Sequence, residues 1–259
     1  MRMFKKPPTH TRRDHLKIVN ESTPFSILES FRTLCTNVIY LPIESKCKKI
    51  VVTSAVSGEG KSYVSTNLSI ILTQTLDNKK VLLIDMDLRK PAIQRLFSDF
   101  DEEKYDASRG ISEYLVGLDE KPNIIPTNVP NLSVLFSGAT SMNPAGLINS
   151  TKLSRFLDEL SEKYDYLIID TPPITVVSDA MLFEKHIDGY ILSVRADYSN
   201  TNYVSDAINL LKSVNAEIFG MVLTDVDVIS KFRYRYYSSY YKHYYYAYEK
   251  EIQQQQNTK

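Results

Sequence analysis

Lys61 and Ser62 close the run Ala55-Val56-Ser57-Gly58-Glu59-Gly60-Lys61-Ser62, the stretch of this chain with the clearest chemical meaning. Its spacing is that of a phosphate-binding loop, G-x-x-x-x-G-K-[ST], with Ala55 where the first glycine usually stands. The physical needs are still met. Gly58 and Gly60 let the backbone turn its N–H groups toward phosphate oxygens, and a helix opening near Gly60 adds the positive end of its dipole. Lys61 suits a bridge between β- and γ-phosphates, and the Ser62 hydroxyl suits Mg²⁺. The competing reading, a glycine turn with a chance lysine, is disfavoured because strand, loop and helix come in the required order. The pattern speaks for nucleotide binding and is silent on reaction type.

Three acids stand where they could complete such a site. Val81 to Ile84 leads into Asp85-Met86-Asp87-Leu88-Arg89, and Tyr166 to Ile169 leads into Asp170-Thr171-Pro172-Pro173. In a parallel sheet these acids emerge at the same carboxyl edge as the loop, where open α/β sheets bind ligands. Asp170 fits the second acid of nucleotide sites, holding Mg²⁺ directly or through its water. Asp85 and Asp87 are two residues apart, so strand alternation aims them differently unless the strand has already ended. One is then available to the metal and the other to an attacking hydroxyl. Two close acids need a cation to coexist, and Mg·ATP supplies one. Solvated strand-end aspartates are the bland alternative, weakest for Asp170 because it follows four apolar residues.

The chain holds 18 tyrosines but no tryptophan and only 8 glycines. Tyr234, Tyr236, Tyr237, Tyr240, Tyr241, Tyr244, Tyr245, Tyr246 and Tyr248 cluster among Lys231, Arg233, Arg235 and Lys242. A polar-flanked segment of this kind can enter a neighbour's active site, and each phosphate added there brings about −1.5 to −2 charge at pH 7. The alternative is a sticky aromatic segment that packs on a partner unmodified. Other tyrosines, such as Tyr166 and Tyr190 beside strands, read as structural.

Elements that could position these residues alternate along the chain. A helix follows Thr23-Pro24, with Leu28, Phe31, Leu34 and Val38 at helical spacing. Strands read at 49–54, 81–84, 132–136, 166–169, 190–194 and 218–223. Helices read from Val64 to Leu76 and at 153–163, 178–186 and 203–214. A short helix fits 111–118 inside the polar, proline-punctuated stretch 99–130. Apolar strands alternating with amphipathic helices predict an α/β nucleotide-binding fold, a mostly parallel central sheet with helices on both faces. The domain reading is a basic flexible lead at 1–22, a P-loop domain at 23–228 and a tyrosine-rich flexible tail at 229–259. With 43% hydrophobic and 24% charged residues the balance is that of a globular protein. Zero formal charge gives no global field for nucleic acid or membranes. Cys35 and Cys47 show no pairing or metal spacing and read as reduced thiols. No apolar run reaches the roughly 20 residues of a membrane helix, and the basic N-terminus lacks the apolar stretch of a signal peptide. A cytoplasmic protein without direct membrane insertion is expected.

Ala55 to Ser62, Asp85-x-Asp87-x-Arg89, Asp170-Thr171-Pro172-Pro173 and the terminal tyrosines together resemble the bacterial tyrosine kinases, regulators of capsular and exopolysaccharide synthesis. The resemblance spans roughly residues 25 to 248. It implies a P-loop fold, ATP and Mg²⁺ as cofactors, and autophosphorylation of tail tyrosines between subunits. On that basis Ser57, Gly58, Glu59, Gly60, Lys61, Ser62, Tyr63 and Arg89 bind nucleotide. Ser62, Asp87 and Asp170 hold the metal, and Asp85 is the base, with Lys61 and Asp87 sharing the catalytic work. It further implies a transmembrane adaptor of the polysaccharide co-polymerase type that recruits the kinase to the inner face of the cell membrane. Homo-oligomeric ring assembly would use E-x-x-R-x-x-R on the first helix. Glu29 and Arg32 match that motif, while Cys35 replaces the second arginine and removes a bidentate donor. Thr224 stands where the family has an asparagine near adenine.

The rival is a P-loop ATPase of the partitioning or division-site type, a nucleotide-driven assembly switch. Such proteins carry an extra lysine early in the loop, where this chain has Val56, and lack a terminal tyrosine cluster. A non-catalytic nucleotide sensor is a third reading, opposed by the presence of Lys61, Asp85, Asp87 and Asp170 together.

Overall fold

Short β-branched and apolar runs bounded by polar residues form the sheet, and the central ones are buried on both faces because helices cover both. The computed structural model describes residues 18–20, 22–98 and 108–226. Its strands are β1 (Lys48–Ser54), β2 (Val81–Asp85), β3 (Ile124–Pro126), β4 (Leu132–Leu135), β5 (Tyr166–Asp170), β6 (Gly189–Arg195) and β7 (Ile218–Thr224). Their order in the sheet is β3-β4-β2-β5-β1-β6-β7. All neighbours run parallel except β3, which pairs antiparallel with β4. Every residue of β2 and β5 is buried, as the doubly covered centre of a parallel sheet requires.

The helices are α1 (Phe25–Ile39), α2 (Lys61–Thr75), α3 (Ile93–Ser98), α4 (Ile111–Val116), α5 (Pro144–Ile148), α6 (Thr151–Ser161) and α7 (Thr201–Ser213). Alternation along the strands divides the core between two layers. Ile50, Val52, Leu83 and Ile168 pack with Phe31, Val38, Leu68 and Ile93 of α1, α2 and α3. Val51, Leu82, Ile84 and Ile169 pack with Ile111, Ile148, Phe156, Leu160 and Leu211 of α4 to α7. Ser150 caps α6 by accepting from the Leu153 amide at 3.2 Å.

Several expectations change in detail. Residues 178–186 form a 3₁₀ segment rather than an α-helix, with bracing by the buried Asp179 and the Tyr190 hydroxyl, which donates to the Ala180 carbonyl at 2.9 Å. Strand β3 and helices α3 and α5, each of six residues or fewer, were not expected. Part of the stretch read as a flexible lead is packed: Ile18 and Val19 are buried, and the Val19 amide donates to Asn67 Oδ1 on α2 at 2.7 Å. Residues 1–17 and 21 of that lead, and the segment 229–259 read as a tail, lie outside the described residues.

Candidate active site

Parallel pairing sets the acids side by side before any side-chain contact is considered. Asp85 at the end of β2 is the register partner of Asp170 at the end of β5, and Asp170 is in turn opposite Val52 of β1. The phosphate loop leaves β1 two residues later. Strand β1 feeds α2 and then β2 while β5 lies between them in the sheet, so the loop opens at a switch in strand order, where α/β folds hold ligands.

Gly58 and Gly60 have φ of +87° and +85°, the left-handed region that an L side chain strains to enter. These two turns carry the chain from Ser57 into α2, for which Gly60 is the N-cap. Ala55 needs no such freedom: it is buried, and its carbonyl accepts from the Thr175 hydroxyl at 2.7 Å. Its substitution for glycine is therefore compatible with the loop.

Lys61, the first residue of α2, turns into the acidic cluster. Its Nζ donates to Asp87 Oδ2 at 2.9 Å and lies 3.5 Å from Asp170 Oδ2. Ser62 Oγ donates to Asp170 Oδ2 at 2.5 Å. Burial alone would favour a neutral amine, but the Asp170 and Asp87 carboxylates outweigh it and hold Lys61 above its ordinary value. Burial, reinforced by the Asp170 carboxylate, pushes Asp85 up to about 7, against the pull of Lys61. Asp170 is raised too, by burial. Three carboxylates facing one ammonium leave an excess of negative charge, which a proton on Asp85 relieves in part.

Because β2 ends at Asp85, the Asp85/Asp87 pair is divided by a turn. Asp85 Oδ1 accepts from the Asp87 amide at 3.2 Å, and its Oδ2 accepts from Ala92 and Ile93 at the start of α3, both at 3.2 Å. Asp87 Oδ1 accepts from Lys90 at 2.9 Å while Oδ2 takes Lys61. One acid thus braces α3 and the other meets the lysine.

The residues present fit Mg²⁺ and a polyphosphate. Asp170 Oδ1 is buried without a hydrogen-bond partner among the described residues. The Ser62 hydroxyl and the Asp87 and Asp170 carboxylates form the hard oxygen set that Mg²⁺ prefers. Lys61 already sits among these acids as a cation, the charge that a bound metal would replace.

Other expected site residues stand apart. Arg89 is turned onto the 3₁₀ segment, where Nε donates to Asp179 Oδ2 at 2.7 Å and Nη2 to Oδ1 at 3.0 Å, a bidentate pair. The Tyr63 ring packs edge-on against Phe31 of α1, with centroids 5.4 Å apart, so its side chain belongs to the core side of α2. Glu59 is fully buried, and its carboxylate accepts from the Val56 amide at 2.9 Å and from the Ser199 hydroxyl. Its side chain shapes the loop rather than facing a ligand. Glu29 and Arg32 pair with each other on α1, at 2.6 Å. Cys35 is wholly buried in the layer beneath α1 and does not share the outer face of those two residues. The nine tail tyrosines lie outside the described residues.

Residues that motif reading missed surround the loop from outside, Ser193 and Arg195 at the end of β6 and Tyr198 and Ser199 just after it, together with Thr224 at the end of β7. Their sequence signal is slight, no more than polar residues at or just beyond the ends of apolar strands.

A family model described as an AAA domain matches residues 47–221. The chain is 31% identical over 220 residues to the putative tyrosine-protein kinase CapB of Staphylococcus aureus, covering 85% of this chain and 93% of that protein. The crystal structure of the chimerical protein CapA2B2 aligns with TM-score 0.69 at 32% identity, over 78% of this chain and 85% of that one. The kinase domain of Escherichia coli tyrosine kinase ETK aligns with TM-score 0.70 at 26% identity, over 86% and 89%.

Proposed function

The chain belongs to the bacterial tyrosine-protein kinases, and from that premise we propose that it transfers the γ-phosphoryl group of ATP to tyrosines 234 to 248 of a neighbouring copy. The observation that carries this reading is the convergence of Lys61, Ser62, Asp85, Asp87 and Asp170 on the edge of the sheet where the phosphate loop begins.

Lys61 leaves the carboxylates for the β- and γ-phosphates, while the Gly58 and Gly60 turns present backbone amides to the same oxygens. Ser62, Asp87 and Asp170 would hold Mg²⁺, which neutralises charge on the phosphate oxygens when bound. Asp85, with its carboxyl near 7, is the general base, since a base works best when its pKa lies close to the working pH. The phenolic oxygen forms its bond to the γ-phosphorus as the bond to the β,γ-bridging oxygen breaks. The phenol proton passes to Asp85, and ADP leaves.

The resemblance to capsular and exopolysaccharide regulators extends the proposal to a transmembrane adaptor, recruitment to the inner face of the membrane, and a homo-oligomer. Two observations bear on this. No helix among the described residues is long and apolar enough to cross a membrane. Glu29 and Arg32 are side-chain exposed by 29% and 53%, available for exchange with a second copy, whereas residue 35 is not.

Incubation of the full chain with γ-labelled ATP, with an adaptor's cytoplasmic segment present, separates the readings. Label on tyrosine supports the kinase. Release of inorganic phosphate with no labelled tyrosine supports the partitioning-type ATPase instead.

A further inference from the structure

The amides of a phosphate loop bind anions only when they point inward, and something must hold them there before the ligand arrives. Three successive carbonyls of this loop are held from outside. Tyr198 Oη donates to the Ser57 carbonyl at 3.1 Å, Arg195 Nη1 to the Gly58 carbonyl at 3.2 Å, and Ser193 Oγ and Thr224 Oγ1 to the Glu59 carbonyl at 2.6 and 2.9 Å. In a trans peptide the C=O of one residue and the N–H of the next point in opposite directions, and no peptide of the described residues is cis. Fixing the carbonyls of 57, 58 and 59 outward therefore turns the amides of Gly58, Glu59 and Gly60 inward. None of those three amides has an acceptor among the described residues. Glu59 is buried, and buried amides are rarely left unpaired, so its amide, flanked by those of Gly58 and Gly60, is one arranged for a ligand.

The holding residues are themselves anchored. Ser199 receives the Arg195 amide at 2.8 Å and donates to Glu59, and the Ala196 amide donates to the Thr224 carbonyl at 2.9 Å. The Arg195 guanidinium stacks on the Tyr198 ring, 5.0 Å from its centroid. Glu59 completes the arrangement by drawing the Val56 amide under the loop at 2.9 Å. A buried carboxylate beneath a site for polyphosphate is costly, which makes sense if its work is to fix the turn.

We propose that Ser193, Arg195, Tyr198 and Thr224 are positioning residues that set the polyphosphate affinity of the loop by pinning its outer carbonyls, with no contact of their own to the nucleotide base required. The proposal rests on the loop being the nucleotide site but not on tyrosine being the acceptor. The test is titration calorimetry of the full chain with ATP and, separately, with inorganic tripolyphosphate, both with Mg²⁺. Tyr198→Phe keeps the ring and removes only the donor. Thr224→Val keeps the shape and removes a second donor, and Tyr203→Phe, an exposed tyrosine on α7, is the control. Each of the first two should weaken both ligands by the same factor, about three- to tenfold, the size of one neutral hydrogen bond, with the thermal midpoint of the nucleotide-free protein lowered by no more than about 5 °C. Loss for ATP alone would mean that Tyr198 acts on the base, and no loss for either ligand would mean that the pins are idle; each result overturns the proposal. Absence of phosphotyrosine with an intact binding defect would sink the kinase reading and leave this one standing.

Discussion

Replacing Lys61 with methionine should destabilise the nucleotide-free protein as well as silence it. The ammonium lies 2.9 Å from Asp87 and 3.5 Å from Asp170, and the side chains involved are only 11%, 4% and 0% exposed. At about 3 Å and an effective dielectric near 20, one such pair attracts by roughly 5 kcal/mol. Desolvation offsets much of that gain, so the net effect of the substitution is governed by the charges left behind. Breaking a buried pair by removing one partner costs about 3–5 kcal/mol. For a domain of this size each kcal/mol moves the midpoint by roughly 2–4 °C, which gives a fall of about 6–20 °C. Methionine fills similar volume, so packing contributes little to the difference. The fall should be greatest near pH 8 and shrink toward pH 5, because carboxylates that lose their cation take up protons instead. Scanning calorimetry of both proteins without nucleotide, at each pH, reads this directly. An unchanged midpoint near pH 8 would refute the idea that Lys61 neutralises this cluster.

The pH profile of the wild type should itself carry the mark of Asp85. Its folded value of about 7 lies above the unfolded value near 3.9, so its contribution is full below about pH 4 and is lost as pH rises through about 7. Asp85→Asn should flatten the thermal midpoint across that window, and parallel profiles would contradict the assignment. Cys35→Arg, which restores the family motif, should destabilise the fold by the several kcal/mol of an unpaired buried charge instead of simply strengthening assembly; thermal unfolding beside mass measurement checks it. Gly138→Ala should cost about 1–3 kcal/mol, since φ there is +77° and a Cβ would enter the Glu113 carboxylate that pins Gly110 and Ala139; denaturant titration reads the loss.

The centre of the sheet could be read from sequence because β1, β2 and β5 are apolar runs that end in chemically distinctive residues, Ser54, Asp85 and Asp170. Those same endings located Lys61, Ser62 and the three acids, and β1, β2 and β5 bring them together in register. Short elements escaped. The three residues of β3 and the five of α5 offer no period to count. The resemblance places Arg89 at the nucleotide, and nothing near it in the chain announces its pairing with the buried Asp179, 90 positions later. The carbonyl pins escaped for the same reason: Ser193 and Thr224 meet Glu59 across 134 and 165 positions. Cys35 shows the limit of motif matching. Position 35 aligns with an arginine by spacing, yet on this α1 it faces the core.

Mass-spectrometric mapping of phosphotyrosine, on wild type and Lys61→Met after exposure to Mg·ATP with an adaptor's cytoplasmic segment present, tests the enzyme assignment most directly. Phosphate on residues between Tyr234 and Tyr248 in the wild type, and none in the variant, is the expected result. Unmodified tyrosines in both proteins, or equal modification in both, would contradict it.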